Sequence, residues 1–167
     1  MSVLLRRVSL TALVLAVVLA GTVAGFASGS SSSVQIVHVM SSKPDITTID
    51  LGPRGKSPGD FYAVSASILI RNGRRVIGHL RGTQTAIKRE RGAETVQGML
   101  TFEFGTANQI VVGGLSQFPL TGTGLITGKP YVRAVLGGTG KYAGAKGTLT
   151  STLRSSGRYD QVFRLTY

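Results

Sequence analysis

The stretch YVRAVLGGTGKYAGAKGTLTSTL, from Tyr131 to Leu153, joins two short β-type runs through a segment rich in glycine. The runs lack helical periodicity and are bounded by turn residues, which is typical of β-strands. Between them lie the five glycines that we expect to form a structural turn: Gly137, Gly138, Gly140, Gly144 and Gly147. Glycine tolerates a positive φ and lets another backbone approach closely, so the segment predicts a sharp barrel corner.

The same segment contains GGTGKYAG, which matches the dinucleotide-binding pattern G-x-G-x-x-A in its letters alone. That pattern requires a helix after the glycines, and here a strand-like run follows. A phosphate-binding loop is also excluded, because Tyr142 stands where such a loop needs Ser or Thr. We therefore interpret the segment as a corner of the fold.

Similar short runs, separated by Gly, Pro, Asn and Asp, fill the chain from Val34 onward. They occupy residues 34–40, 61–70, 75–87, 95–104, 109–115, 131–137, 147–154 and 159–167. We expect eight antiparallel strands that close into an all-β barrel, whose interior is wide enough for side chains or one small ligand. Asn72 and Gly73 predict a type I′ turn between the second and third strands. Residues 41–60 and 116–130 are predicted to be irregular connections.

Composition narrows the possible functions. The 167 residues include 23 Gly and no Cys, so thiolate chemistry and disulfides are excluded and one domain is expected. His38 and His79 lie far apart in apolar contexts, and we predict no metal site because metals need three or four converging ligands. The formal charge of +12 favours an acidic partner or surface.

The first 33 residues have the features of a targeting sequence. Arg6 and Arg7 precede an uncharged apolar stretch from Val8 to Ala27, which predicts a secretory signal helix. We expect a signal peptide at 1–27, a Ser-rich spacer at 28–33 and the barrel domain at 34–167. If the signal is not cleaved, the apolar stretch is long enough to anchor the chain in a membrane. In both cases the barrel is predicted to lie outside the cytoplasm.

The stretch from Tyr131 to Leu153 resembles the most characteristic segment of allene oxide cyclases and plant dirigent proteins. In both families a strand runs into Gly-Gly-x-Gly, an aromatic residue follows, and a further glycine corner starts the next strand. Residues 98–115, GMLTFEFGTANQIVVGGL, are similar to the family's central hairpin, and Gly59-Asp60 is similar to another recurring element. The likeness covers residues 34–167.

This resemblance implies an eight-stranded barrel with a hydrophobic lumen, often assembled as a trimer and needing no cofactor. Allene oxide cyclases close a fatty-acid epoxide to a cyclopentenone, and dirigent proteins steer the coupling of phenoxy radicals. Both hold a reactive molecule in one conformation away from water. The Glu and Asn that follow the first apolar run of the plant cyclases have no counterpart in Met40–Pro44, and no acidic residue lies between Glu103 and Asp160 to match the dirigent aspartates. The resemblance therefore implies a class of chemistry without a specific reaction.

Candidate site residues follow from strand alternation. Glu103 is the first candidate for a catalytic acid, because burial in a lumen would raise its pKa; the alternative is a solvent-facing residue paired with a neighbouring Arg. Asp60 is the second candidate, with turn capping as its alternative. Alternation leaves open whether Phe102 and Phe104 or Met99 and Glu103 face the lumen. The predicted ligand-binding residues are Met99, Phe102, Phe104, Tyr62, Tyr131 and Tyr142.

Seven basic residues lie between Arg71 and Arg91, a region that either binds an anionic envelope surface or is a solvated face. Nucleic acid is not an expected partner.

Two functions remain open. The first is a secreted barrel that positions a small hydrophobic molecule for cyclisation or coupling, which if catalytic would be a cofactor-free isomerase or cyclase. The second is a non-catalytic envelope protein that binds lipids or anionic polymers.

Overall fold

The computed structural model describes residues 33–90, 92–121 and 124–167, and this part of the chain is almost entirely β-structure. The predicted signal peptide and nearly all of the predicted spacer lie outside the described residues. Within them, no helix is long and apolar enough to span a bilayer. The strands are β1 (Gln35–Ser41), β2 (Asp45–Ile49), β3 (Phe61–Ile70), β4 (Val76–Glu90), β5 (Ala93–Glu103), β6 (Gln109–Pro119), β7 (Pro130–Thr139), β8 (Lys146–Leu153) and β9 (Tyr159–Thr166).

The strands form one closed antiparallel sheet in the order β1-β9-β8-β7-β6-β5-β4-β3-β2, and β1 also pairs with β3. Both β1 and β2 use the same edge of β3: Ser41 lies opposite Ile68, and Asp45 lies opposite Ser65. The two short strands are therefore one interrupted first strand. The prediction of an eight-stranded closed antiparallel barrel is confirmed.

Two predicted boundaries were wrong. Residues 45–49 were expected to be irregular, but they form β2 along the first half of β3. Pro44 has no backbone N–H to donate to the ladder, so pairing stops before it and resumes at Asp45. The second predicted connection begins later than expected, because β6 continues to Pro119 opposite Ala93.

The glycine-rich segment of the sequence forms the corner between β7 and β8. A single 3-10 turn, Gly140–Tyr142, carries the chain round this corner, and Gly140 has a φ of 58°. At Gly147 a side chain would bring its Cβ within 2.0 Å of the Arg164 carbonyl oxygen. This corner therefore needs glycine for conformation at one position and for close approach at another.

Side chains that alternate inward fill one end of the barrel with apolar groups. Phe102, Ile110, Leu149 and Phe163 are fully buried there, and the rings of Phe102 and Phe163 meet edge to face with centroids 4.9 Å apart. We call this region the filled end. A second buried cluster, richer in tyrosine, lies towards the other end: Tyr62, Ala86, Val96, Phe118, Leu125, Tyr131 and Tyr159. The polar residues of the lumen lie between the two clusters.

Candidate functional site

A narrow cavity lies inside the barrel between the filled end and the tyrosine-rich cluster. Its volume is about 40 Å³, room for roughly three water molecules. Apolar side chains from β3, β4 and β5 form one wall, among them Val64, Leu80 and Leu100. The polar side chains that line the cavity are Ser41, Gln84, Arg133, Ser151, Tyr159 and Gln161. The combination of an apolar wall with a few converging polar groups is typical of a small-molecule site, although such sites usually have a volume of about 300–1,000 Å³.

Five of the buried polar side chains form a continuous hydrogen-bonded chain, which we call the polar network. Arg133 donates to the hydroxyls of Ser116 and, at 3.5 Å, Ser151. Ser151 donates to Gln161 Oε1 at 2.6 Å, and Gln161 Nε2 donates to the Ser41 hydroxyl at 3.2 Å. Each residue comes from a different strand, β6, β7, β8, β9 and β1 in spatial order. Closure of the barrel therefore brings the network together.

Arg133 is the charged member of this network. Its side chain is 4% exposed, and no carboxylate of the described residues lies within 4.0 Å of its guanidinium. Its Nε is buried and has no hydrogen-bond partner in the described part of the chain. Burial lowers the pKa of Arg133, while the nearby phenols of Tyr159 and Tyr131 act in the opposite direction. The lumen thus contains a buried cation that the described residues do not neutralise.

A second buried polar pair lies beside the tyrosine-rich cluster. The Tyr62 hydroxyl donates to Glu94 Oε2 at 2.7 Å, and Lys56 Nζ lies 4.0 Å from the same oxygen. Glu94 is fully buried. Burial raises the pKa of Tyr62, and the hydrogen bond to Glu94 raises it further, so this phenol stays protonated and acts as a donor.

Two residues from connections between strands, which we call the covering residues, also line the cavity. Leu125, between β6 and β7, is buried against the tyrosine-rich cluster, and Pro44 lies between β1 and β2. The backbone of Leu125 is hydrogen-bonded to the Tyr159 hydroxyl, whose pKa is raised by burial. Neither covering residue belongs to a strand.

The structure separates the residues that the sequence proposed for the site. Glu103 lies on the outer face and pairs with Arg81, and Met99 on the same face is 55% exposed. Neither side chain contacts the lumen. Of the two pairs that alternation left open, Phe102 and Phe104 are the inward pair: Phe102 is buried at the filled end, and Phe104 is partly buried and packs against the same cluster.

The other predicted aromatic residues divide between the two clusters. Tyr142 is buried at the filled end, where its ring lies 5.4 Å from that of Phe104, and neither lines the cavity. Tyr62 and Tyr131 belong to the tyrosine-rich cluster. The Tyr131 hydroxyl is buried and has no hydrogen-bond partner among the described residues.

Asp60 closes the connection between β2 and β3. Its carboxylate accepts hydrogen bonds from the backbone of Ser57 at 2.7 Å and of Leu51 at 3.2 Å, and from the Ser57 hydroxyl at 3.2 Å. The backbone bond from Ser57 is the main cause of a lowered pKa at Asp60. These contacts are those of the turn-capping alternative.

The basic residues from Arg71 to Arg91 do not form one patch. Arg71, Arg74 and Arg75 are exposed in the turn before β4, whereas Lys88 and Arg89 lie near the end of that strand. The two groups are about 40 Å apart along the strand, at roughly 3.3 Å per residue. Arg91 lies outside the described residues.

The polar network was not predicted from the sequence. Arg133 stands between Tyr131 and Val135, two buried residues of the same strand face. That alternation places a charged residue on an inward face, and this pattern could have identified Arg133 from the sequence. The partners Ser116, Ser151 and Gln161 carry no such signal, because serine and glutamine occur on either face of a strand.

Three solved structures are similar to this chain over most of its length. A pyocyanin demethylase has a TM-score of 0.64 and 23% identity, and the match covers 79% of this chain and 100% of that chain. A pterocarpan synthase dirigent protein has a TM-score of 0.61 and 15% identity, covering 89% of this chain and 95% of that chain. A Diels-Alderase from Streptomyces koyangensis has a TM-score of 0.58 and 14% identity, and the match covers 82% of this chain and 70% of that chain.

No protein-family model and no curated protein matches the sequence. At identities of 14–23% the structural likeness establishes the fold alone. The resemblance to dirigent proteins that the sequence indicated is therefore confirmed for the fold. The chain has the barrel fold that is also found in dirigent proteins and in cyclase barrels of the Diels-Alderase type.

Proposed function

We propose that this protein is a secreted barrel that binds a small, mostly apolar molecule in its lumen and holds it for ring closure or coupling without a cofactor. The observation that carries the proposal is the polar network, four of whose members line a cavity that also has an apolar wall. A barrel interior that served only for packing would gain more stability from apolar residues at these positions. Converging polar groups in such a place serve to orient a ligand.

A ligand larger than a few waters enters when the covering residues move. Displacing Leu125 and Pro44 opens the mouth while the closed sheet keeps its hydrogen bonds. Once inside, the ligand is held among fixed strands and away from water. Holding a flexible molecule in a reactive conformation needs few catalytic groups, which suits a lumen with this small set of polar side chains.

The outer face supports assembly into a homotrimer. Ile87, Met99 and Leu136 border one shallow groove on β4, β5 and β7, and they are 46%, 55% and 57% exposed. Exposed apolar side chains gathered in one place are typical of a protein interface. Met99 therefore serves as a contact between subunits in this proposal.

A second candidate role, adhesion to an anionic envelope surface, is favoured by the exposed arginines of the turn before β4. Arg71, Arg74 and Arg75 are all exposed, and the net charge of the chain is +12. We expect salt-dependent cosedimentation with phosphatidylglycerol vesicles, reduced when all three arginines are replaced by glutamine. If the triple variant bound the vesicles as well as the wild type, these three arginines would not be the residues that bind the anionic surface.

Native mass spectrometry of the protein isolated from culture medium tests the first proposal. A barrel that carries a small molecule, and an N-terminus that begins after the predicted signal, are the expected results. A variant with Leu80 replaced by Trp, which places a large side chain in the cavity wall, should lose the bound molecule while it stays folded by circular dichroism. If the wild type carries no small molecule and binds none from a library of apolar compounds, the proposal fails.

A further inference from the structure

We propose that the lumen selects a ligand with a carboxylate, which Arg133 binds in the polar network while the apolar part of the ligand lies towards Leu125. This inference rests on the proposed ligand-binding function and specifies the substrate class. It starts from the guanidinium, which is 4% exposed and lines the cavity. An isolated charge in such a place is costly, and buried charges in proteins are normally paired.

The described residues do not supply the counter-charge. Glu94, a buried carboxyl group of the lumen, bonds to Tyr62 and does not lie within 4.0 Å of the Arg133 guanidinium. The groups that do act on the guanidinium are two phenols, Tyr159 and Tyr131. Neither side chain is a carboxylate, so an anionic ligand is the natural partner of the guanidinium.

The unpaired donors fit a carboxylate. Arginine presents five N–H donors in a planar fork, and Arg133 uses its terminal nitrogens on Ser116 and Ser151 while its Nε remains unpaired. A carboxylate oxygen is a suitable acceptor for this unpaired donor, because arginine and carboxylate form strong charge-assisted hydrogen bonds. The Tyr131 hydroxyl, two residues before Arg133 on the same strand face, is a second buried polar group without a hydrogen-bond partner among the described residues.

The shape of the lumen sets the orientation of the ligand. The filled end beyond the polar network has no space for a ligand tail, since Phe102, Ile110 and Phe163 are fully buried there. The apolar lining on the other side includes Phe118 and Leu125, close to the mouth. The acid therefore enters with its carboxylate first and keeps its apolar body near the mouth.

Isothermal titration at physiological salt tests the inference with three probes of equal chain length: octanoate, 1-octanol and octyl phosphate. Octanoate should bind the wild type at least about 10-fold more tightly than 1-octanol, because bonds to a charged group are among the strongest polar contacts. In Arg133→Gln this preference should disappear while 1-octanol still binds. Arg81→Gln is the matched control, since it removes one positive charge from the outer face.

Each result distinguishes the inference from the function on which it rests. Equal binding of octanoate and 1-octanol to the wild type would overturn the inference and leave the ligand-binding barrel intact. Binding of neither would overturn both. Octyl phosphate binding more than about 10-fold more tightly than octanoate would reject the carboxylate in favour of a phosphate. The wild-type comparison needs no variant, so the test stands even if Arg133→Gln does not fold.

Discussion

Replacing Arg133 by methionine should stabilise the ligand-free barrel. An uncompensated buried charge costs about 3–5 kcal/mol, as judged from buried pairs that lose one partner. The substitution also removes the charge-assisted hydrogen bond to Ser116, worth about 2 kcal/mol, whereas the bond to Ser151, at 3.5 Å, is long and contributes little. The difference is a gain of roughly 1–3 kcal/mol in the free energy of unfolding, because the charge term exceeds the lost bonds.

Urea denaturation of the ligand-free protein, monitored by circular dichroism, measures this gain. For a domain of this size it corresponds to a rise in Tm of roughly 3–12 °C. Arg133→Lys is the first control, because it keeps a positive charge at the site and should give no gain. Arg81→Met is the second, because that side chain is 57% exposed and its change in stability should stay within about 1 kcal/mol.

A loss of stability in Arg133→Met would refute the reasoning. If the variant were less stable than the wild type by more than about 1 kcal/mol, the guanidinium would be a net stabilising group in the empty barrel. The charge would then have a compensating partner in the folded protein. The inference of an anionic ligand would lose its main support.

Three further predictions concern other parts of the molecule. Tyr62→Phe should lower the free energy of unfolding in urea by about 1–3 kcal/mol, because it leaves a buried oxygen of Glu94 without its hydrogen-bond donor; a loss below about 0.5 kcal/mol would contradict the pairing. The carboxylate of Asp60 has a lowered pKa, so its stabilisation is complete above 3.8 and is lost as the pH falls through the folded pKa. The difference in Tm between the wild type and Asp60→Asn should therefore be largest near neutral pH and should shrink towards zero in acid. A difference that does not change with pH would exclude stabilisation by the Asp60 carboxylate. Leu136→Arg places a charge in the outer apolar groove and should convert a trimer into monomers by light scattering, whereas a monomeric wild type would reject the trimer.

Most of the barrel could be predicted because strand signals are local. Alternation and turn residues located eight runs, and each of them lies in a strand of the structure. The missed strand, β2, has exposed residues on most of its length, with Ile46 half-buried, so it shows almost no alternation. Its pairing with β3 follows from closure of the barrel, which is a long-range property that no window of sequence contains.

The candidate site was harder to predict for the same reason. The five members of the polar network come from five strands, and their order in space follows the sheet order rather than the sequence. Glu103 was a candidate only if its face of the strand pointed into the lumen, and its neighbours Phe102 and Phe104 necessarily point to the opposite face. The same rule, applied to Tyr131, Arg133 and Val135, puts the arginine inside.

The stability and the selectivity of this lumen should have a common origin in the Arg133 charge. If the empty barrel bears an unneutralised guanidinium, a carboxylate ligand relieves the cost that Arg133→Met removes by substitution. At a ligand concentration of about 100 times Kd, binding stabilises a protein by roughly 2.7 kcal/mol, which lies within the gain expected for the variant. Wild type saturated with octanoate should therefore approach the stability of ligand-free Arg133→Met, while octanoate should add little to the variant itself. An equal gain in both proteins would mean that the acid binds through its apolar chain, and that the buried charge does not select the ligand.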